Sequence, residues 1–284
     1  MTLISAVVTG EKAFNEFTLL MNTLEQWEPS AEVFVLTDTP TARILNVMKT
    51  RIHYTTRVGL DAYSGLTRKD MEACSGIKYA TMFHDFTMEK ATIMDWVFTM
   101  RPEAKETGVW FLDADICLLA PLPKLPTGSR IGLSPHFIRS VDEARYGHYN
   151  AGMIWLRDPT LLDIWRKAAY ESRFYEQAAL EVVGNSVSAE ERVEFPIQDN
   201  FGWWRYLQSA DPPPVIQGRI GYNRALPGCG LTYEGQALRS LHTHWDEASE
   251  FNAWMRTKLE FVGKAHAPAK AFLKSLGRLY GTKK

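Results

Sequence analysis

The sequence predicts an α/β fold, a single compact domain in which a sheet is flanked by helices. The run Leu3-Ile4-Ser5-Ala6-Val7-Val8-Thr9-Gly10 is β-rich and stops at a glycine, as a buried strand does. Phe14, Phe17, Leu20, Met21 and Leu24 then recur at helical spacing, so Asn15 to Trp27 reads as an amphipathic helix closed by Pro29-Ser30. Glu32-Val33-Phe34-Val35-Leu36-Thr37-Asp38 is a second apolar strand. Strand, helix and strand at this spacing form a βαβ unit, which requires parallel strands covered by a helix.

Further along, residues 53 to 85 are mixed and carry no clear period. Thr87 to Met100 has helical character, and Gly108-Val109-Trp110-Phe111-Leu112 is a third strand that runs into Asp113-Ala114-Asp115. Pro121, Pro123 and Pro126 then interrupt the chain. Short strands are expected at Ile131 to Ser134 and Ala151 to Leu156, a helix from Pro159 to Tyr175, and a loop or short helix at Ser188 to Arg192. Beyond Pro212-Pro213-Pro214 the chain is glycine-rich up to Ser240-Leu241-His242-Thr243-His244. There is no internal repeat and no low-complexity linker. The expected organisation is one domain over 1–260, with 1–120 and 121–260 as its two halves, followed by a basic tail over 261–284.

Composition removes several classes of function. With 284 residues, 45% of them apolar and 23% charged, the chain can fill a sizeable core without cross-links. A net charge of −1 gives no reason to expect nucleic acid as partner. Cys74, Cys117 and Cys229 lie far apart with no CxxC pair, which argues against a zinc site or a disulfide framework and suits reduced thiols in a cytoplasmic protein. Neither a signal peptide nor a spanning segment is evident. The nine tryptophans suit either a carbohydrate-handling surface or an aromatic core. No GxGxxG or GxxxxGK[ST] occurs, so a dinucleotide or Walker-type site is not expected.

Asp113 and Asp115 carry the chemistry. Two aspartates one residue apart, at the end of a strand, can approach one hard cation from a tight turn. In open α/β sheets the carboxyl ends of strands are where ligands bind. A cation there would neutralise a phosphate-bearing ligand.

Phe111-Leu112-Asp113-Ala114-Asp115, followed by Ile116 and later Pro121-Leu122, resembles the metal-binding segment of GT-A-fold glycosyltransferases, the glycogenin-like and related bacterial sugar transferases in particular. Three more segments follow in the family's order. Tyr149-Asn150-Ala151-Gly152-Met153-Ile154 is similar to the segment lining the donor sugar, and Ile197-Gln198-Asp199-Asn200 to the Asp-Gln-Asp segment near the reacting carbon. Leu241-His242-Thr243-His244-Trp245 resembles the late histidine segment that completes the metal site. The resemblance implies a GT-A-type, Rossmann-like mixed sheet. It also implies transfer of a hexosyl group from a nucleotide-diphospho-sugar, with UDP as the expected nucleotide and Mn²⁺ or Mg²⁺ as the ion.

The same resemblance distributes roles, with 1–120 as the nucleotide-binding half and 121–260 as the sugar and acceptor half. Asp113, Asp115 and His242 are the expected metal ligands, with His244 two residues on as a second candidate. Thr9, Gly10, Thr37 and Asp38 are expected at the base and ribose, where a turn-capping role for Asp38 is the alternative. Ala114, Asn150, Ala151, Gly152 and Gln198 are expected to line the donor. Asp199 is expected beside the anomeric carbon as the catalytic carboxylate, and Trp203 and Trp204 either face the acceptor or pack inward. The family's glycine and lysine after the histidine are missing: Trp245-Asp246-Glu247 stands there. Lys90, on the helix before the DxD strand, is the substitute candidate for the diphosphate.

In the tail, Lys264, Lys270, Lys274, Arg278, Lys283 and Lys284 alternate with Phe272, Leu273, Leu276 and Leu279. Such a helix can rest on an anionic membrane or pack on the domain. The expectation is therefore a cytoplasmic glycosyltransferase, peripheral to a membrane at most. Its acceptor would be a glycan, glycolipid or protein. A metal-dependent nucleotidyltransferase and a non-catalytic sugar-binding protein are the alternatives; the first lacks a glycine- and arginine-rich loop after strand one.

Overall fold

The computed structural model describes residues 1–264 and 266–280. Its first strand, β1 (Leu3–Val8), leads into α1 (Gly10–Trp27), and β2 (Glu32–Thr37) returns parallel to β1 with Val8 opposite Thr37. Every residue of β2 is buried, because helices cover both faces of the sheet. Next come α2 (Thr39–Leu45) and β3 (His53–Val58), the edge strand, in which no residue is fully buried, so that no apolar face marks it in the sequence. A single 3-10 turn at Asp61–Tyr63 and α3 (Arg68–Ala73) fill the stretch before α4 (Met82–Met100). Helix α4 begins five residues before the expected Thr87, because Thr81 accepts a hydrogen bond from the His84 N–H and caps it.

After α5 (Ala104–Thr107), Gly108 adopts φ +78° and the indole of Trp155 occupies the space where a Cβ would lie, 2.2 Å away. Only glycine fits this entry into β4 (Val109–Leu112). Strand β5 (Ile116–Leu118) follows the two aspartates, then β6 (Ile131–Pro135), α6 (Ser140–Tyr146) and β7 (Tyr149–Leu156). The helix expected from Pro159 to Tyr175 is two helices, α7 (Thr160–Ala169) and α8 (Tyr175–Ala178), with α9 (Leu180–Asn185) after them. Tyr175 at the junction has φ +43°, which no continuous right-handed helix contains.

The remaining elements are β8 (Arg192–Glu194), β9 (Phe201–Gly202), α10 (Trp203–Leu207), α11 (Pro213–Arg219), β10 (Ile220–Tyr222), β11 (Leu231–Tyr233), β12 (Gln236–Ala237), β13 (Ser240–His242), α12 (Glu250–Gly263) and α13 (Ala267–Tyr280).

The main sheet has the order β3-β2-β1-β4-β7-β6-β8; its first four strands are parallel and β7 runs antiparallel to β4 and β6. A small sheet, β5-β13-β9, lies beyond its carboxyl edge, and a third joins β10, β11 and β12. One apolar core lies under α4, α7 and α9, and a second under α1. A third gathers Phe201, Tyr206, Leu241, Trp245, Phe251, Met255, Phe272 and Leu276. The tail therefore does not stand apart. The boundary expected at 260 falls inside α12, and α13 buries Ala269, Phe272 and Leu276 while Lys270 and Lys274 face outward. Lys283 and Lys284 lie outside the described residues. No helix among the described residues is long and apolar enough to cross a membrane.

Candidate active site

Strand β4 ends at Leu112, and the chain turns back at once: the Ile116 N–H donates to the Asp113 carbonyl at 3.1 Å. The Asp113 N–H donates to the Gly152 carbonyl at 2.8 Å, which ties the turn to β7. Strand β5 then pairs with β13 in a register that sets Ile116 opposite His242. Backbone pairing alone thus brings a late histidine to the two aspartates. One ligand atom from each of Asp113, Asp115 and His242 lies within 4.8 Å of the others. His242 Nε2 is 3.1 Å from Asp115 Oδ1 and 3.8 Å from Asp113 Oδ2.

A network behind the histidine fixes its tautomer. Asn200 Nδ2 donates to Ser134 Oγ and to Asn150 Oδ1, both at 3.0 Å, which leaves Asn200 Oδ1 facing His242 Nδ1 at 3.1 Å. An amide oxygen only accepts, so Nδ1 carries a hydrogen, and Nε2 is the ring nitrogen turned to the aspartates, the one that a cation there would take. Gly152 sits directly beneath: a Cβ there would lie 2.2 Å from His242 Cε1 and 2.6 Å from Asp113 Oδ2. Two carboxylates and one imidazole nitrogen, drawn to a point with glycine clearing the floor, fit a hard divalent cation. Burial pushes both carboxyls up; at Asp115 the imidazoles of His242 and His244 more than reverse this and hold it well below the usual range. At Asp113 burial prevails over Lys90 and the shift is upward.

Lys90, expected at the diphosphate, is engaged behind the metal cluster. Its Nζ is 3.2 Å from Asp113 Oδ1, 3.0 Å from Glu176 Oε1 and 3.2 Å from the Ala151 carbonyl. Though burial opposes it, these two carboxylates hold the ammonium well above its ordinary pKa. His244 falls outside the three-residue cluster. Its Nδ1 is 2.7 Å from Oε1 of Glu16 on α1 and 3.5 Å from Asp115 Oδ2. Burial works against its protonation, but Glu16 and Asp115 prevail and push it up to about 9. Of the acidic pair that stands where a lysine was expected, Glu247 lies 3.1 Å and Asp246 3.5 Å from Lys12 Nζ.

With this geometry, the structure matches galactosyltransferase LgtC solved with donor and acceptor sugar analogs, at a TM-score of 0.50 and 12% identity over 97% of this chain and 96% of that one. A second LgtC structure, an active-site mutant, gives a TM-score of 0.50 at 11% identity over the same shares. This chain has a GT-A glycosyltransferase fold. Mouse xyloside xylosyltransferase 1 matches with a TM-score of 0.47 and 9% identity, over 85% of this chain and 97% of that one. No protein-family model and no curated protein sequence matches.

Within this GT-A fold the other candidate residues separate into two groups. Asn150 and Gly152 lie at the cluster, joined by a 3.0 Å bond from the Gly152 N–H to Asn150 Oδ1, and Ala114 sits in the turn between the aspartates. Ala151 contributes backbone only: its carbonyl meets Lys90 and its N–H meets Gln177 Oε1 at 3.3 Å. Thr9 and Gly10 occupy the turn from β1 into α1, where Thr9 makes no side-chain cap bond. Thr37 donates its hydroxyl to the Val8 carbonyl, and buried Asp38 caps α2 through the Thr41 N–H while accepting from Ser64. The capping alternative thus describes Asp38. Gln198 donates to the Tyr233 carbonyl at 3.2 Å.

Asp199 departs furthest from expectation. Its carboxylate turns to Arg239, with Nε 3.0 Å from Oδ1, close enough for an ion pair but not aligned as a hydrogen bond. Burial prevails over Arg239 and Arg205 and pushes this carboxyl up to about 6. It is the next residue, Asn200, that reaches the cluster. Trp204 packs edge-on against His242 with centroids 4.8 Å apart, while Trp203 is partly exposed. Sequence reasoning passed over Asn200, Glu176 and Glu16 as site residues. Asn200 lies inside the Ile197–Asn200 segment; the two glutamates carry no signal in the sequence, and only the tertiary fold buries them.

Proposed function

We propose that this chain is a metal-dependent glycosyltransferase that moves a hexosyl group from a nucleotide-diphospho-sugar, with UDP as the nucleotide, onto a hydroxyl of a glycan, glycolipid or protein. The observation that carries this is the convergence of Asp113, Asp115 and His242 within 4.8 Å at the carboxyl edge of the sheet. The fold shared with LgtC supports it.

Mn²⁺ or Mg²⁺ held by those three side chains would neutralise the diphosphate and the charge that gathers on the departing oxygen. The residues around it have separable tasks. Asn200 holds His242 in the tautomer that presents Nε2. Asn150 offers its amide to a donor-sugar hydroxyl. Lys90 and Glu176 hold Asp113 in place from behind. Residues 1–120 supply the nucleotide side, where Thr9 and Gly10 let the backbone approach the base, and 121–260 supply the sugar and acceptor side. Asp199 is turned to Arg239, and Asn200, fully buried and bonded to Ser134, Asn150 and His242, supports the cluster from behind. A carboxylate held by an arginine is a poor general base, which favours acceptor attack on the face of the leaving group, with retention, the acceptor proton passing to the departing phosphate oxygen.

Titration with UDP, GDP and CDP, each with and without Mn²⁺, followed by donor-sugar hydrolysis, tests this. Metal-dependent tight binding of one diphosphate with slow hydrolysis is expected, and the anomeric configuration of the product reports retention. Binding without turnover on a broad acceptor panel would make the chain a binding module instead.

A further inference from the structure

A diphosphate bridging a sugar and a nucleoside carries charge beyond what its metal contacts reach, and basic groups usually meet the remainder. Here Lys90 and Lys12 are both paired with carboxylates. Lys90 lies between Asp113 and Glu176, and Lys12 faces Asp246 and Glu247. His244 is placed differently. It stands next to Asp115 on the side of α1, where Glu16 meets it. Its side chain is 40% exposed, whereas that of Glu16, which holds its Nδ1 at 2.7 Å, is only 5% exposed. A carboxylate only accepts, so Nδ1 gives its hydrogen to Glu16, and Nε2 is left without a hydrogen-bond partner among the described residues. A carboxylate backing one nitrogen of an imidazole orients the ring and makes the other nitrogen available to a ligand.

We propose that His244, oriented by Glu16, contacts the diphosphate of the donor through its Nε2 edge and so takes the place of the missing lysine. This rests on the transferase reading above. His244 is then a substrate contact and Glu16 a positioning residue; neither ligates the metal.

The test is calorimetric titration with the tightest-binding of UDP, GDP and CDP at saturating Mn²⁺, with the matching nucleoside monophosphate, and with Mn²⁺ alone. The proteins are the unmodified chain and the His244→Gln, Glu16→Gln and Lys12→Ala variants, each checked for an unchanged melting temperature. His244→Gln is expected to weaken the diphosphate about tenfold or more, leaving Mn²⁺ alone unchanged and the monophosphate less affected. Glu16→Gln should give a smaller loss in the same direction, and Lys12→Ala none. The proposal is overturned if His244→Gln binds the diphosphate like the unmodified chain. It is also overturned if Mn²⁺ affinity falls in parallel, since His244 would then act through Asp115, or if Lys12→Ala carries the loss. If the unmodified chain binds no nucleoside diphosphate with Mn²⁺, the transferase reading itself fails, a result distinct from these. Glu16→Gln leaves the imidazole in place and keeps the question open to measurement should His244→Gln not fold.

Discussion

Asn200 decides which nitrogen of His242 faces the aspartates, because its amide oxygen can only accept from Nδ1. Asn200→Ala should therefore lower Mn²⁺ affinity by about 10- to 100-fold, as loss of an outer-sphere partner does, read by calorimetry with the fold checked by melting. Asp199 yields a prediction of a different kind. Its folded-state pKa of about 6 lies above the ordinary 3.8, so the native state holds this proton more tightly than the unfolded chain. The penalty of its buried charge is absent below the unfolded value and complete above the folded one. Stability should accordingly fall between about pH 4 and pH 6, and Asp199→Asn should flatten that slope in urea unfolding curves; an unchanged slope would contradict the placement. From sequence, Asp199 stands out because a carboxylate is expected near an anomeric carbon. What draws it away is Arg239, which arrives from the link between β12 and β13, and no local pattern reveals that. Asp113 and Asp115 were legible for the opposite reason: strand and turn are neighbours in sequence.

Elements with a clean period were the ones sequence could place. β1, β2 and β4 are continuous apolar runs and lie where those runs put them, while α1 ends at the expected Trp27 but begins at Gly10, five residues before the expected Asn15. β3 escaped because none of its residues is fully buried, and the break between α7 and α8 because it depends on the left-handed Tyr175. Helix α13 left two outcomes open from its composition, since an amphipathic basic helix suits a membrane or a core equally. Its apolar face is packed: Phe272 meets Trp245 with centroids 5.8 Å apart, within the third core. Phe272→Ala should cost about 3–5 kcal/mol, seen in denaturant unfolding. Lys274→Ala, on the exposed face, should stay within about 0.5 kcal/mol. Equal effects would mean that the helix does not dock as described.

For the molecule as a whole, the topology assembles the candidate site from segments that share no local signal. β4 brings the aspartates, β7 brings Asn150 and Gly152, and β13 brings His242 through its pairing with β5. Sequence order could rank these segments as parts of one site only through a resemblance, since spacing says nothing about which strands become neighbours. A site built this way links binding to global stability. Mn²⁺ with a nucleoside diphosphate, at about 100 times its dissociation constant, should stabilise the fold by about 2.7 kcal/mol. The most direct measurement is calorimetric titration of the unmodified chain and the Asp115→Ala variant with UDP, GDP and CDP, with and without Mn²⁺. The expected result is tight binding of one diphosphate that requires Mn²⁺ in the unmodified chain and loses its metal-dependent part in the variant. Binding that is unaffected by Mn²⁺, or that survives Asp115→Ala unchanged, would contradict the metal-dependent donor site.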